Sequence, residues 1–218
     1  MQANGSIAFG GSLRTKVITK EQKERAKKRQ IFWWHVKNWL TVRWREIPLY
    51  LSLALAKGLQ YFIPSLVIMY TSLRVKVIKA NGEVWDYGLV GRNTITTVGK
   101  GFVVDAWQNS VELENMKYHG IGTNNTAPTS GDTALNTEIT TQYNPDNTRA
   151  TGTTTEASAT VFRTVGVNTV DASAAIVEWG LLSQAATGGG VLFDRQTFST
   201  INLANGDSLS TTYDLTVS

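Results

Sequence analysis

Few residues of this 218-residue chain could carry out acid–base or metal chemistry, since it has two histidines and no cysteine. A three-histidine zinc site cannot form within one chain, and a histidine-based triad would have to use His35 or His119. The lack of cysteine also excludes disulfides and thiolate ligands. We therefore expect structural roles for both histidines, and we predict no metal site and no cofactor.

Carboxylates are more numerous and lie near the ends of predicted strands: Asp132, Glu138, Glu156, Glu178, Asp194 and Asp207. A glycosidase needs two carboxyl groups that flank the bond it cleaves, and any two of these could lie at such a separation. A hydrolytic or polysaccharide-binding β-domain is therefore one alternative. Glu178, however, lies on an apolar strand, and Arg195 follows another. We predict that these two form a structural, partly buried ion pair, and we predict no catalytic residue.

The C-terminal half has the pattern of short antiparallel strands. In residues 208–218 apolar or aromatic side chains alternate with polar ones, a period of two that fits a half-buried strand. Clusters of Asn, Gly, Pro and Asp separate further strand candidates, and Gly188 to Gly190 reads as a hairpin loop because no phosphate-binding lysine follows it. The strand candidates are 117–122, 149–156, 160–167, 174–182, 191–194, 198–203 and 209–217. This spacing predicts a mainly β fold, an antiparallel β-sandwich or jelly roll.

Residues 66–110 contain a further β-hairpin. Residues 73–77 and 84–89 alternate in polarity, and Asn81 and Gly82 between them predict a tight turn with positive φ values. Residues 94–98 are a third strand candidate, whereas the apolar spacing in 98–107 fits a strand less well than one or two helical turns.

The N-terminal part is basic and rich in tryptophan. Residues 1–46 contain eleven Lys or Arg and three Glu, a net charge of +8, whereas the remainder carries −4. Residues 16–44 favour a helix, in which Ile31, Trp34 and Val42 with Trp39 form an apolar strip, and 49–57 favour a short second helix that ends at Gly58. We predict an anchoring arm over 1–65 and a β-sandwich domain over 66–218, divided into 66–110 and 116–218. The residues predicted to bind a partner are Lys27, Lys28, Arg29, Trp33, Trp34, Trp39 and Trp44.

Residues 47–70 are apolar enough to raise the question of a membrane span. Lys57 near the middle opposes insertion by about 2.5 to 3.5 kcal/mol, and Gln60 and Pro64 weaken the segment further. We therefore predict no span. The polar, glycine-rich residues 1–12 likewise predict no secretory signal.

The order of several short motifs resembles structural proteins of tailed bacteriophages. The motifs are Gly120-Ile121-Gly122-Thr123, Ala127-Pro128, the run 131–138, the run 174–182, the run 192–195, Ile201-Asn202 and the run 206–209 with 213–216. The resemblance covers about residues 116–218. It implies a virion protein that is made in the host cytoplasm and has a β-sandwich of the decoration, neck or tail-fibre type.

Composition and resemblance together suggest a non-enzymatic assembly protein. We expect a capsid decoration, cement or head-associated protein that forms homo-oligomers, with a trimer favoured, through its β-domain. Its arm would bind capsid or connector proteins, and a positively charged arm would also suit nucleic acid. A tail, neck or fibre component is the alternative within this class.

Overall fold

The computed structural model describes residues 20–40, 44–63 and 65–218, without the side chains of 44–50 and 52. Three α-helices are present in these ranges, α1 (Lys20–Asn38), α2 (Trp44–Phe62) and α3 (Thr97–Trp107), together with a short 3₁₀ helix at Leu113–Asn115. The strands are β1 (Met69–Ile78), β2 (Val84–Gly91), β3 (Thr94–Ile95), β4 (Tyr118–Gly122), β5 (Tyr143–Asn144), β6 (Ala150–Thr151), β7 (Thr153–Ser158), β8 (Val161–Val170), β9 (Ala174–Leu182), β10 (Leu192–Leu203) and β11 (Ser208–Val217).

The strands form two antiparallel sheets. The first has the order β2-β1-β11-β8-β5, with β7 also paired to β8, and the second has the order β3-β10-β9-β4-β6. Residues of both sheets meet in one apolar core that includes Leu73 and Tyr213 from the first sheet and Ile176 and Trp179 from the second. This arrangement confirms the predicted mainly β fold with helices before it.

Alternation explains which side chains enter the core. On β1, Leu73, Val75 and Val77 are buried, while Arg74 and Lys76 between them face solvent. Because successive side chains point to opposite faces of a strand, this sequence buries one face only. Ten residue pairs join β1 to β11, from Met69↔Val217 to Ile78↔Ser208, so the first and last strands of the fold are neighbours. The hairpin of residues 66–110 therefore shares its sheet with strands of residues 116–218.

The turn between β1 and β2 differs in detail from the predicted one. Gly82 has φ +80°, but Asn81 does not have a positive φ. Lys79 accepts from Gly82 N and donates to Glu83 O, both at 2.8 Å, which leaves a three-residue loop. Such a loop places only its last residue in the left-handed region, and glycine adopts that region without strain.

Helix α2 is longer than predicted, and a segment whose type the sequence left open is a helix. Helix α2 continues through Gly58 to Phe62, because an isolated glycine lowers helix stability by only about 1 kcal/mol and does not by itself end a helix. Residues 97–107, where the sequence left strand and helix open, form α3. The side chain of Thr96 accepts a hydrogen bond from Gly99 N at 2.9 Å and caps this helix.

Candidate functional site

Glu178 and Arg195 lie side by side on β9 and β10 and are both fully buried. Arg195 Nη2 and Nε donate to Glu178 Oε2 at 2.8 and 3.0 Å, and Arg195 Nη1 donates to Asp132 Oδ2 at 2.9 Å. The backbone N–H groups of Asn136 and Thr137 donate to the same Glu178 carboxylate. This cluster ties the segment that carries Asp132 and Thr137 to the second sheet, so the contacts are those of a structural support.

A second buried arginine, Arg149, holds the loop that contains Gly188 to Gly190. Arg149 Nη2 donates to Glu138 Oε2 at 2.8 Å, and its Nη1 donates to the carbonyl oxygens of Gln184 and Gly189, each at 2.9 Å. Arg149 is only 2% exposed. The run 188–190 is therefore held through its backbone, as a connecting loop of the second sheet.

These contacts decide what the carboxylates can do chemically. Glu138, Asp132, Glu178 and Asp207 each accept hydrogen bonds from an arginine or lysine. Glu156 is exposed on β7, and Asp194 is completely buried. A carboxyl group acts on a substrate only if it can reach it, which excludes Asp194 from direct contact with a solute.

His119 occupies the centre of the sandwich. Trp179 Nε1 donates to His119 Nδ1 at 3.2 Å, so the proton of the neutral ring is on Nε2, which lies 3.2 Å from the hydroxyl oxygen of Thr164. The Thr211 hydroxyl lies 2.7 Å from Nδ1. Complete burial lowers the pKa of His119 to about 3, so this histidine is a neutral hydrogen-bonding group of the core.

Asp194 is a second buried titratable group, and no cationic side chain forms an ion pair with it among the described residues. The Tyr213 hydroxyl donates to Asp194 Oδ2 at 2.9 Å, and Oδ1 has no hydrogen-bond partner among the residues described. Burial raises the pKa of Asp194 to about 8. Asp194 is therefore mostly protonated, and uncharged, at neutral pH.

The two buried groups predict a flat pH profile of stability between about pH 4 and 6.5. From pH 3 to 6.5 the unfolded chain binds a proton at His119 that the folded protein does not, so this group makes the free energy of unfolding rise with pH. From pH 3.8 to 8 the folded protein holds a proton at Asp194 that the unfolded chain has lost. This group therefore makes the free energy of unfolding fall as the pH rises. Each slope is at most about 1.4 kcal/mol per pH unit, and they cancel where they overlap.

The Asp194→Asn variant separates the two effects. Its free energy of unfolding should rise between about pH 4 and 6.5 and stay constant above, whereas the unchanged protein should lose about 2 kcal/mol between pH 6.5 and 8. Urea unfolding at pH intervals measures both profiles. Profiles of the same shape would contradict the assigned protonation of Asp194.

The buried side of α1 was only partly predicted. Its inward positions are Lys27, Ile31, Trp34 and Asn38, spaced four, three and four residues apart. The Trp34 ring lies 4.6 Å from that of Tyr87, and Trp34 Nε1 donates to Ser199 O at 3.2 Å. The structure thus assigns Trp34 to the core of its own chain and not to a surface that a partner could contact.

Asn38 is a buried contact that the sequence analysis missed. Its Nδ2 donates to Val90 O at 3.2 Å, and its Oδ1 accepts from Ser199 N at 3.0 Å. These bonds join α1 to strands of both sheets. The helical spacing from Trp34 was the available signal, but a polar residue at the end of a charged helix does not otherwise indicate burial.

The other residues predicted to bind a partner lie at the surface or outside the described side chains. Lys28, Arg29, Trp33 and Trp39 are exposed on one continuous helical segment, and Lys27 forms a 3.5 Å ion pair with Glu83. Trp33 is 58% exposed and packs edge-on against Phe32. Helix α2 begins at Trp44, whose side chain, like residue Val42, is outside the description.

Helix α2 presents an exposed apolar stripe that the sequence analysis did not single out. Leu51, Leu55, Leu59 and Phe62 are spaced four, four and three residues apart and are 61, 70, 52 and 77% exposed. The opposite side of the helix, with Leu53 and Ala56, is partly buried. We call these four residues the α2 stripe. A contiguous apolar surface of this kind is typical of a contact site.

Other kinds of site are not supported by the described part of the chain. No group of three or more metal-binding side chains occurs within residues 20–40, 44–63 and 65–218. None of the helices in these ranges combines the length and apolar character needed to cross a membrane.

Comparison with known proteins adds no family assignment. No protein-family model matches the chain, and a search of the curated proteins also gave no match.

Proposed function

We propose that this chain is a structural protein of a tailed-phage virion, a capsid decoration or head-associated protein. In this proposal its helical segment attaches it to other virion proteins and its β-sandwich forms the homo-oligomer. The observation that carries the proposal is the α2 stripe, because four large apolar side chains in contact with water are stabilised when another protein covers them. The motif order in residues 116–218 supplies the virion context.

The charge distribution supports attachment through the helical segment. Residues 1–46 carry a net charge of +8, while the rest of the chain carries −4. Lys28 and Arg29 are exposed on the same helix as Phe32 and Trp33. Surfaces that combine aromatic and basic side chains are enriched at protein interfaces.

An exposed sheet edge supports assembly through the sandwich. All six residues of β7 are exposed, and β7 pairs only with β8 among the strands of the described residues. An unpaired strand edge can hydrogen-bond to another chain. We propose that a subunit contact forms at or near this edge and that the oligomer is a trimer.

The Leu55→Glu variant should load onto phage particles about tenfold less than the unchanged protein, because burying a leucine contributes about 1.5 to 3 kcal/mol to a contact. Leu113→Glu is the matched control, since Leu113 is 51% exposed and lies outside the α2 stripe. Quantitative mass spectrometry of purified particles measures the copy number of each variant.

Equal loading of the Leu55→Glu variant and the control would contradict attachment through the α2 stripe. Electron cryomicroscopy of the same particles tests the location. Density that follows the capsid lattice is expected for a decoration protein. Density on the particle axis would instead favour the alternative of a tail, neck or fibre component. Absence of the chain from particles would overturn the virion assignment.

A further inference from the structure

A cavity of about 410 Å³ lies between α2, the start of β1 and the segment that leads into α3. Its volume is within the range of about 300 to 1,000 Å³ that is common for small-molecule sites. The wall has a cationic side and an apolar side.

The cationic side contains Arg92 and Lys100, and none of the described residues that line the cavity carries a carboxylate. Lys57 adds to the local charge, because its Nζ lies 4.7 Å from the centre of the Tyr70 ring, and the Arg92 guanidinium lies 5.7 Å from the same centre. A concave surface lined by charges of one sign concentrates ligands of the opposite sign.

A buried carboxyl group beside the wall does not offset these charges. Asp194 is paired with the wall residue Ile95 on the neighbouring strand and is completely buried, and burial raises its pKa to about 8. It is therefore mostly neutral at pH 7. Lys100 forms no ion pair within the described residues, so its charge is open to a ligand.

Asn93 is a buried polar residue at the wall of the cavity. It lines the cavity and is 4% exposed, yet neither its Nδ2 nor its Oδ1 has a hydrogen-bond partner among the described residues. Buried polar groups in folded proteins are nearly always hydrogen-bonded to protein, to water or to a ligand. Both side-chain atoms are themselves buried, so the Asn93 amide lies behind the wall and has hydrogen-bonding capacity there that no described residue uses.

The apolar side of the cavity narrows the chemical class of ligand that the cavity can bind. Leu53 and Ala56 of α2 face it, together with Met69 and Ile95. Inorganic anions gain nothing from such a wall, because removal of apolar surface from water requires apolar groups on both partners.

We propose that this cavity is a binding site for an organic anion, a carboxylate or phosphate group attached to an apolar chain or ring. The anionic group is held by Arg92 and Lys100, and the apolar group lies between α2 and β1. Free amphiphiles and lipid headgroups share this chemistry.

Isothermal titration calorimetry with octyl phosphate tests the site on the full-length protein. We expect saturable binding of one molecule per chain. Inorganic phosphate and octanol should each bind about tenfold more weakly or worse, because each lacks one half of the recognised chemistry. Octanoate should bind in competition with octyl phosphate. Vesicles with anionic lipids that compete with octyl phosphate would identify a lipid headgroup as the source, and vesicles that do not compete would identify a free amphiphile.

Two variants locate the binding in this cavity. Lys100→Gln should weaken octyl phosphate binding about tenfold, since it removes one charge-assisted contact. Arg74→Gln is the matched control, because Arg74 is exposed on β1 and does not line the cavity. Ala56→Phe should abolish binding by filling the apolar side.

Four results would overturn the proposal, three of which concern octyl phosphate binding and the variants. Those three are absence of saturable octyl phosphate binding, equal affinities of the Lys100→Gln and Arg74→Gln variants, and unchanged affinity of Ala56→Phe. Equal binding of inorganic phosphate and octyl phosphate would also overturn it, because the apolar wall would then play no part.

Discussion

The Glu178→Gln variant is expected to lose about 3 to 5 kcal/mol of unfolding free energy, the typical result when one member of a buried ion pair is removed. Glu178 and Arg195 are both fully buried. The neutral amide leaves the Arg195 guanidinium with Asp132 as its only carboxylate partner among the described residues. It also places an NH₂ or a carbonyl where the carboxylate accepted hydrogen bonds from Arg195 Nε and Nη2 and from two backbone N–H groups.

Asp214→Asn provides a matched control for this prediction. Asp214 accepts two hydrogen bonds from Arg163, at 2.6 and 2.8 Å, so the geometry of the pair is similar. The Arg163 side chain is 40% exposed, however, and solvent screens the interaction. We expect a loss of about 0 to 1 kcal/mol. Urea unfolding of both variants measures the difference, and equal losses would show that burial does not set the strength of the Glu178–Arg195 pair.

The Trp34→Ala variant should be destabilised by about 3 to 5 kcal/mol, as is typical when a buried tryptophan is truncated. The substitution removes the ring contact with Tyr87 and the hydrogen bond to Ser199 O. It leaves a cavity between α1 and the sheets, and the core cannot close it without moving the helix. Thermal and urea unfolding measure the loss.

Its neighbour Trp33 is the natural control. Trp33 is 58% exposed, against 8% for Trp34, and the two occupy different sides of α1. Trp33→Ala should therefore change the unfolding free energy by less than about 0.5 kcal/mol, as surface substitutions usually do. If Trp33→Ala destabilised the protein as much as Trp34→Ala, the orientation of α1 on the sandwich would be wrong.

Strands with a clear local pattern were predictable. Residues 174–182 were expected as a strand and form β9 over the same range, and residues 209–217 correspond to β11. In β11 local polarity and tertiary burial agree, since the apolar residues Leu209 and Tyr213 are buried and the polar residues on either side of each are less so. Strand β9 is instead a largely apolar run in which every residue from Ile176 to Leu182 is buried, as is typical of a strand covered on both faces.

Strand β10 shows where local pattern fails. Its sequence predicted two strands, 191–194 and 198–203, with the polar residues Arg195, Gln196 and Thr197 between them. The structure has one strand, Leu192–Leu203, with a shift in register between Thr197 and Ile201. Those polar residues are buried, and Arg195 is accommodated by carboxylates from β9 and from a loop 63 residues away in sequence. Only tertiary contacts provide such partners.

The sequence by itself determined the mainly β class, the basic N-terminal helix and the positions of most strands, because these follow from local periodicity, turn residues and charge. Only the tertiary structure decided which carboxylates meet an arginine, which tryptophan is buried and that the α2 stripe stays exposed. The reason is physical: burial and hydrogen bonding depend on neighbours distant in sequence, as Trp34 with Ser199 and Glu178 with Arg195 illustrate. Local sequence carries no information about which of those neighbours the fold will bring into contact.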